Sequence, residues 1–191
     1  MNYQDNRCFV VRHGETEWSL HHRHTGQTDL PLLPTGTVQA EALQTPLSSH
    51  EFHSVLTSPL ARARETCRLA GLGNKAEIEP DLAEWDYGSL EGLTTAEILR
   101  ERPQWDLFTD GAPGGETIQE VAARVDRVIE RIRATDGDVV CFAHGHVLRV
   151  LAARWIGLDP REGRCFALDP ASISILGWER ASPVVVRWNL N

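Results

Sequence analysis

The chain has 191 residues, of which 41% are hydrophobic and 24% are charged, a balance typical of one soluble globular domain. Its 19 Lys and Arg residues against 27 Asp and Glu residues give a formal net charge of −8, with no basic tail or basic helix face. This balance argues against nucleic acid or an anionic membrane as a partner, and no apolar run reaches the ~18 residues of a membrane span. An anionic substrate would therefore have to be attracted by a local cluster of cations.

The four cysteines, Cys8, Cys67, Cys141 and Cys165, stand singly and form no CxxC spacing. Isolated cysteines of this kind are typical of buried, reduced thiols in a reducing compartment. The first residues lack the charged segment and apolar run of a secretory signal. We therefore expect a cytoplasmic protein.

Six short apolar runs bounded by turn residues predict β-strands. They lie at about 7–12, 53–57, 76–79, 138–143, 172–177 and 183–188. Helical patterns occur at 34–47, 59–70, 116–134 and 145–156, and in the second of these Ser58 would be the N-cap and Pro59 the first helical residue. The alternation predicts an α/β fold with three layers, α/β/α, around a largely parallel sheet.

Residues 80–115 interrupt this alternation. They contain Trp85 and Trp105, and the stretch 110–116 is rich in Gly, Pro and acidic residues. We interpret the segment as an excursion over the sheet edge, within a single domain spanning residues 1–191. Such an excursion would cover the active site, and the two tryptophans are candidates to line the pocket.

The first predicted strand ends in Arg12, His13 and Gly14. Open α/β folds bind ligands at the carboxyl ends of their strands. An imidazole is a competent nucleophile towards phosphorus, and a neighbouring guanidinium can hold phosphate oxygens in a bidentate manner. The glycine would let a bulky group approach the backbone closely. This tripeptide indicates a phosphate site.

A second β-rich run ends in His144, Gly145 and His146, just before a predicted helix whose first N–H groups would attract an anion. Arg62 lies in the first turn of the helix after strand 53–57, where a cation opposes the helix dipole, so we expect it to serve a ligand. Arg64, two residues further on, is expected at the surface. The histidines at the ends of these two strands, together with Arg12 and Arg62, could thus bind one phosphoryl group.

Glu84 is an acid beside a large aromatic residue, Trp85. A carboxyl group in an apolar setting suits a general acid that protonates a leaving alkoxide near neutral pH. Whether Trp85 shields Glu84 stays open, because neighbouring residues can face opposite ways.

The motifs of the chain resemble those of the histidine phosphatase superfamily, in the branch that includes the cofactor-dependent phosphoglycerate mutases. They read R-H-G-E-T-E-W from Arg12, T-G-Q-T-D-L-P-L from Thr25, S-P-L-x-R-A-x-x-T from Ser58, E-W-x-Y-G-x-x-E-G from Glu84 and A-H-G-H-x-L-R from Ala143. They follow the family order over most of the chain. The resemblance implies a phosphoglycerate mutase-like fold.

The same resemblance implies roles for individual residues. His13 would be the nucleophile that becomes phosphohistidine, and Glu84 would protonate the leaving group and then activate water. The phosphoryl group would be surrounded by Arg12, Arg62 and His144. Further substrate or phosphate contacts are expected from Ser19, where many members have asparagine, and from Thr25, Gly26, Tyr87, Gly145 and His146. The resemblance implies neither a metal nor another cofactor.

The position that matches a lysine of the mutases is Thr95, which favours hydrolysis over retention of a phosphorylated intermediate. A finer resemblance is to the sedoheptulose-1,7-bisphosphatases, although this chain lacks their longer C-terminal portion. There His146 could donate to a sugar hydroxyl or to a second phosphate. We expect a phosphomonoesterase for a small phosphorylated sugar or sugar acid. Mutase-type transfer, a phosphoprotein (phosphohistidine) phosphatase and a non-catalytic phospho-ligand module remain alternatives.

A metal hydrolase is a rival interpretation, because His13, His144 and His146 could join histidines of the 21–24 stretch. No carboxylate stands at metal-ligand spacing from them, and Arg12 would repel a cation, so we expect residues 21–24 to form a polar loop near the site entrance. Strands near 172–188 could pair between subunits, which leaves both monomer and dimer open.

Overall fold

A six-stranded sheet forms the centre of the computed structural model, which describes residues 6–191. The strands are β1 (Cys8–Arg12), β2 (Ser54–Thr57), β3 (Ala76–Ile78), β4 (Val139–Ala143), β5 (Ile173–Glu179) and β6 (Ser182–Leu190). Their order is β3-β2-β4-β1-β5-β6, in which the first four strands pair in parallel and β5 pairs antiparallel with both β1 and β6. The six predicted strands and the largely parallel sheet are confirmed.

Eight α-helices connect or flank the strands within residues 6–191. They are α1 (Glu17–Leu20), α2 (Pro34–Ala42), α3 (Gln44–Ser48), α4 (Ala61–Leu69), α5 (Thr95–Glu101), α6 (Leu107–Asp110), α7 (Ile118–Ala134) and α8 (Gly145–Trp155). The single helix predicted at 34–47 is instead two helices, because Pro46 has no N–H to donate to the carbonyl four residues before it. No helix in this range is long and apolar enough to cross a membrane.

The predicted start of α4 was wrong. Leu60, not Ser58, is the N-cap, and the helix begins at Ala61 rather than at Pro59. The Ser58 hydroxyl accepts the backbone N–H of Leu60 at 3.2 Å, so it closes the turn that precedes the helix. This turn carries the chain from the end of β2 into α4.

Each face of the sheet packs against helices, and the side chains of the strands alternate between the two faces. In β1, Cys8 and Val10 belong to the core under α7 and α8, whereas Phe9 and Val11 belong to the core under α2, α3 and α4. The two-residue period of a strand thus builds both apolar layers from one run. This arrangement is the predicted α/β/α order of layers.

Residues 79–117 lie between β3 and α7 and contain only short helical elements. Arg124 of α7 contacts both ends of this segment through hydrogen bonds. Its Nη1 donates to the carbonyls of Asp81 and Ala83, and its Nε pairs with Glu116 at 2.8 Å. Glu84, the next residue after Ala83, is therefore positioned by the hydrogen bond of Arg124 to the Ala83 carbonyl.

The free thiols of Cys8, Cys67 and Cys141 are buried, as predicted. Cys165 is exposed, so the prediction is wrong for this residue. It ends the 3-10 turn Pro160–Cys165, which runs over the surface.

Candidate active site

His13 follows β1 directly and lies between β4 and the 168–172 loop. Its N–H donates to the Ala143 carbonyl at 3.0 Å, and the Ala171 N–H contacts the carbonyls of Arg12 and His13 at 3.1 Å each. The side chain is 4% exposed and lines a cleft of about 220 Å³. Continued strand pairing therefore fixes the backbone from which the imidazole projects.

The ring of His13 has one defined tautomer in its neutral form. Nδ1 lies 2.7 Å from the carbonyl oxygen of Gly14, which can only accept, so Nδ1 carries the proton. Nε2 has no hydrogen-bond partner within the described chain. Burial, followed by the charges of Arg62 and Arg12, lowers the pKa of His13 well below its ordinary value. At neutral pH the ring therefore holds a lone pair at Nε2, as a nucleophile requires.

Gly14 is required by a close contact between backbones. A Cβ on Gly14 would lie 2.4 Å from the Gly36 carbonyl oxygen, and one on Gly36 would lie 2.1 Å from the Glu15 carbonyl oxygen. The Gly14 N–H also donates to Thr66 Oγ1 at 3.0 Å. The first turn of α2 is thus the group that approaches Gly14 closely. This contact fixes the position of the backbone that follows His13.

His144 lies behind His13, with their ring centroids 5.2 Å apart. Its Nδ1 accepts a hydrogen bond from Arg62 Nε at 3.1 Å, which places the proton of the neutral ring on Nε2. Nε2 then donates to Ser58 Oγ at 2.6 Å. Burial, with Arg62 as the next cause, lowers the pKa of His144 well below its ordinary value.

Arg62 is fully buried and its donors are largely used within the protein. Nη1 donates to the Thr28 carbonyl, and Nη2 donates to the carbonyls of Thr25 and Gly26, each at 3.0 Å. Arg62 and His144 are buried and do not line the cleft, but the His144 ring lies close to that of His13, which does line it. Arg64 is exposed, as predicted.

The loop that carries Thr25 and Gly26 is held from a second side by Glu91. One carboxylate oxygen of Glu91 accepts the N–H groups of Gly26 at 2.9 Å and Thr28 at 3.0 Å. Arg62 thus donates hydrogen bonds to the carbonyls of this loop, and Glu91 accepts hydrogen bonds from its backbone N–H groups. Thr25 lines the cleft, whereas Gly26 packs against the Trp85 carbonyl, where a Cβ would come within 2.6 Å.

Arg12 brings a guanidinium with free donor capacity into the cleft. Nη1 donates to the Leu168 carbonyl at 2.5 Å, while the buried Nε has no partner among residues 6–191. A Cβ on Gly145 would lie 3.5 Å from the Arg12 Cζ, so the guanidinium rests against the start of α8. Burial lowers the pKa of Arg12, and no ion pair in the described chain neutralises it. An anion is the natural partner for such a group.

Glu84 lines the same cleft as Arg12. It is 4% exposed, and its side chain is held at the N-terminus of α8. Its Oε1 accepts the N–H groups of Trp85 and Val147 at 2.9 Å each, and Oε2 accepts the N–H of His146 at 3.0 Å. Two of the helix N–H groups predicted to bind a ligand anion, those of His146 and Val147, therefore bind this carboxylate instead. Oε2 carries a single hydrogen bond and retains room for a proton.

Trp85 and Trp105 do not line the cleft, contrary to the role considered for them. The indole of Trp85 is fully buried, donates to the Glu116 carbonyl at 2.9 Å and packs edge-on against Phe108. Trp105 donates to the Gly111 carbonyl at 3.0 Å. Both tryptophans stabilise the excursion beneath the site.

The cleft gathers most of the predicted site residues. Eight of them line it: Arg12, His13, Ser19, Thr25, Glu84, Tyr87, Gly145 and His146. The hydroxyl of Ser19 is engaged in the capping box of α1, donating to the Thr16 carbonyl at 3.0 Å. Six further residues line the cleft: His22, Arg23, His24, Thr95, Arg149 and Leu168.

Arg149 is a cleft residue for which the sequence patterns predicted no role. Its guanidinium lies 4.8 Å from the centre of the Phe108 ring and donates to the carbonyls of Gly163 and Arg164 at 3.1 Å each. It makes no ion pair within residues 6–191. Its position three residues after His146 on α8, on the same helix face, is a signal that could have revealed it.

The 21–24 stretch lies near the site, as expected. His22, Arg23 and His24 line the cleft, whereas His21 is exposed and pairs with Glu17 at 3.1 Å. Within residues 6–191, no three His, Cys, Asp or Glu side chains form a group that could hold a metal ion.

Comparison with known proteins gives concordant results. The family model described as "Histidine phosphatase superfamily (branch 1)" matches residues 8–191. An acid phosphatase of Mycobacterium tuberculosis is 41% identical, over 94% of this chain and 90% of its own length. Sedoheptulose 1,7-bisphosphatase of Saccharomyces cerevisiae is 38% identical, over 85% of this chain and 72% of its own length.

A solved structure carries the same fold. The mycobacterial glucosyl-3-phosphoglycerate phosphatase superposes with a TM-score of 0.86 at 28% identity, over 97% of this chain and 99% of that one. The match of the family model covers nearly the whole chain, including both strand-end histidines. This protein therefore belongs to the histidine phosphatase superfamily.

Proposed function

We propose that the chain is a phosphomonoesterase that hydrolyses a small phosphorylated sugar or sugar acid through a phosphohistidine on His13. One observation carries this proposal: Nε2 of the neutral His13 ring is unpartnered in a cleft that also contains the un-neutralised Arg12 and the carboxyl group of Glu84. A nucleophile, a cation for the equatorial oxygens and a proton donor are the minimum that phosphoryl transfer without a metal requires.

In the first step, Nε2 of His13 forms a bond to phosphorus as the ester P–O bond breaks. Glu84, in its protonated form, gives its proton from Oε2 to the leaving alkoxide. In the second step, the same carboxylate takes a proton from water as the water oxygen attacks phosphorus and the P–N bond breaks. Arg12 holds the phosphoryl oxygens throughout, while the buried Arg62 and His144 stabilise the developing charge.

The size and charge of the cleft support a small anionic substrate. About 220 Å³ suits a metabolite, and Arg149 offers a second guanidinium without a carboxylate partner. Two of the similar proteins bear names that specify phosphorylated sugars or sugar acids: sedoheptulose bisphosphate and glucosyl-phosphoglycerate. These names support a sugar phosphate rather than a phosphoprotein.

Hydrolysis is favoured over mutase-type transfer by Thr95. This residue lines the cleft at the position where the resemblance places a mutase lysine. A site without that cation holds a departing phosphorylated intermediate less tightly, so water reaches the phosphohistidine first. The free thiols further support the proposal that the enzyme works in the cytoplasm.

A panel of phosphorylated sugars and sugar acids, assayed with and without EDTA, tests this proposal. We expect turnover of at least one such compound with higher kcat/KM than p-nitrophenyl phosphate, and full activity after exhaustive chelation. His13→Asn should abolish it, whereas His21→Asn should retain it because His21 is exposed and outside the cleft. Turnover of a phosphoprotein but of no sugar phosphate would refute the substrate assignment, and loss of activity with EDTA would refute metal independence.

A further inference from the structure

Three side chains that line the cleft form a cluster that the proposed mechanism does not use. His24 and His146 are stacked, with ring centroids 5.9 Å apart and planes 9° apart. Tyr87 meets both edge-on, at 5.0 Å from His24 and 5.7 Å from His146. All three line the cleft, and the backbone N–H of His146 donates to Glu84. The cluster therefore adjoins the group that would protonate the leaving oxygen.

Both imidazoles are uncharged near neutral pH. Burial lowers the pKa of His24, and burial followed by the charge of Arg149 lowers that of His146 well below its ordinary value. Apolar rings frame them, since Trp105 lies 5.6 Å from His24 and Phe108 lies 5.6 Å from His146. A neutral imidazole has one N–H and one lone pair, so it can exchange hydrogen bonds with an alcohol.

The hydrogen bonds of the cluster fix which ring nitrogen is free. Nδ1 of His24 lies 2.9 Å from the Leu93 carbonyl oxygen, so Nδ1 is the donor and Nε2 carries the lone pair. Nδ1 of His146 lies 2.6 Å from the Tyr87 hydroxyl, and its Nε2 remains free. Neither Nε2 has a partner within residues 6–191. When Tyr87 donates to Nδ1, Nε2 of His146 is a donor beside the acceptor on His24.

We infer that His24 and His146, aligned by Tyr87, are specificity-determining residues that bind hydroxyl groups on the leaving part of the substrate. This inference rests on the proposed function and assigns the residues that would recognise the hydroxyl groups of its substrate. A phosphate or carboxylate oxygen does not suit this cluster, because the lone pair on His24 Nε2 would repel it. Of the two ligands first considered for His146, the geometry favours the sugar hydroxyl.

Two pairs of substrates with equal carbon number test the inference. They are glycerol 1-phosphate with n-propyl phosphate, and sorbitol 6-phosphate with n-hexyl phosphate. The wild-type enzyme should favour the polyol of at least one pair by about tenfold or more in kcat/KM, because unpaired ring nitrogens reject the alkyl group. His24→Phe and His146→Phe should each lower this ratio by about tenfold, and Tyr87→Phe should lower it by less.

The polyol-to-alkyl ratio of kcat/KM separates recognition of hydroxyls from a general loss of activity. His146→Asn keeps a polar side chain, so it should retain more of this ratio than His146→Phe. The exposed residue of the same type, His21→Phe, is the matched control and should leave the ratio unchanged. A wild-type ratio near one, or a ratio that both phenylalanine variants preserve, would overturn the inference while leaving a phosphatase. Absence of turnover on every ester, together with absence of phosphate on His13, would overturn the proposed function and the inference with it.

Discussion

The guanidinium of Arg62 donates from Nε to Nδ1 of His144 at 3.1 Å. Through Nη1 and Nη2 the same group donates hydrogen bonds to carbonyls of the 25–28 loop. One buried cation thus sets the tautomer of the second strand-end histidine and shapes the loop that lines the cleft.

Arg62→Gln should destabilise the protein by about 2–4 kcal/mol, because several buried acceptors would lose their donor. It should also lower kcat/KM by about a hundredfold or more, since the loop and His144 lose their alignment. Urea denaturation and steady-state kinetics measure the two effects. Arg64→Gln, on the exposed side of the same helix, should change stability by less than about 0.5 kcal/mol. Equal losses in the two variants would contradict the role given to Arg62.

Gly36→Ala should destabilise the protein although it lies within helix α2. Alanine is the better helix former by about 1 kcal/mol, but its Cβ would lie 2.1 Å from the Glu15 carbonyl oxygen, so the backbone after His13 must shift. We expect a net loss of at least about 2 kcal/mol and reduced activity. Val38→Ala, at a 66% exposed position of the same helix, is the control for thermal and urea unfolding. An increase in the stability of Gly36→Ala would show that the contact is not rigid.

Glu91→Ala and Glu91→Gln should differ, because Glu91 serves as an acceptor for two backbone amides. The amide oxygen of glutamine can accept the same hydrogen bonds, so we expect activity within a few-fold of wild type. Alanine leaves both N–H groups without their acceptor, and kcat/KM should fall by about tenfold or more. Equal activity of the two variants would mean that the loop does not depend on this contact.

The stability of the protein should fall as the pH is lowered from about 6.5 to 5.5. The pKa values of His13, His144 and His146 are lowered in the folded state, chiefly by burial. Below the ordinary histidine pKa of about 6.5, the unfolded chain binds protons that the folded chain does not, so acid favours unfolding. Each histidine should contribute about 1 kcal/mol over this range, or roughly 3 kcal/mol together.

Urea unfolding midpoints between pH 7 and pH 5.5 check this dependence. His146→Asn should remove about a third of the pH dependence. Constant stability over this range would show that these imidazoles ionise as freely in the folded protein as in the unfolded chain.

The sequence patterns predicted the sheet and brought His13 and His144 to neighbouring strand ends, because these features depend on local rules. Apolar runs located β1 and β4, and the residues that follow parallel neighbouring strands must meet at one edge of the sheet.

Other features of the site depend on contacts between distant segments. The helix N-terminus at α8 looked free for a ligand, yet it binds Glu84, which lies 62 residues before His146. Ser58 resembled a helix cap, but its hydroxyl joins a turn to His144. The Leu168 carbonyl that holds Arg12 has no residue-type signature, since every residue carries a carbonyl. Such contacts follow from tertiary packing and are absent from any local pattern.

Rapid acid-free quenching of turnover with 32P-labelled substrate measures directly whether His13 carries the phosphoryl group. We predict a protein-bound phosphate that is stable in base, labile in acid, located on His13 by peptide mapping, formed before product release and absent from His13→Asn. Efficient turnover by the wild-type enzyme without such a label, or an equal label in His13→Asn, would contradict the account.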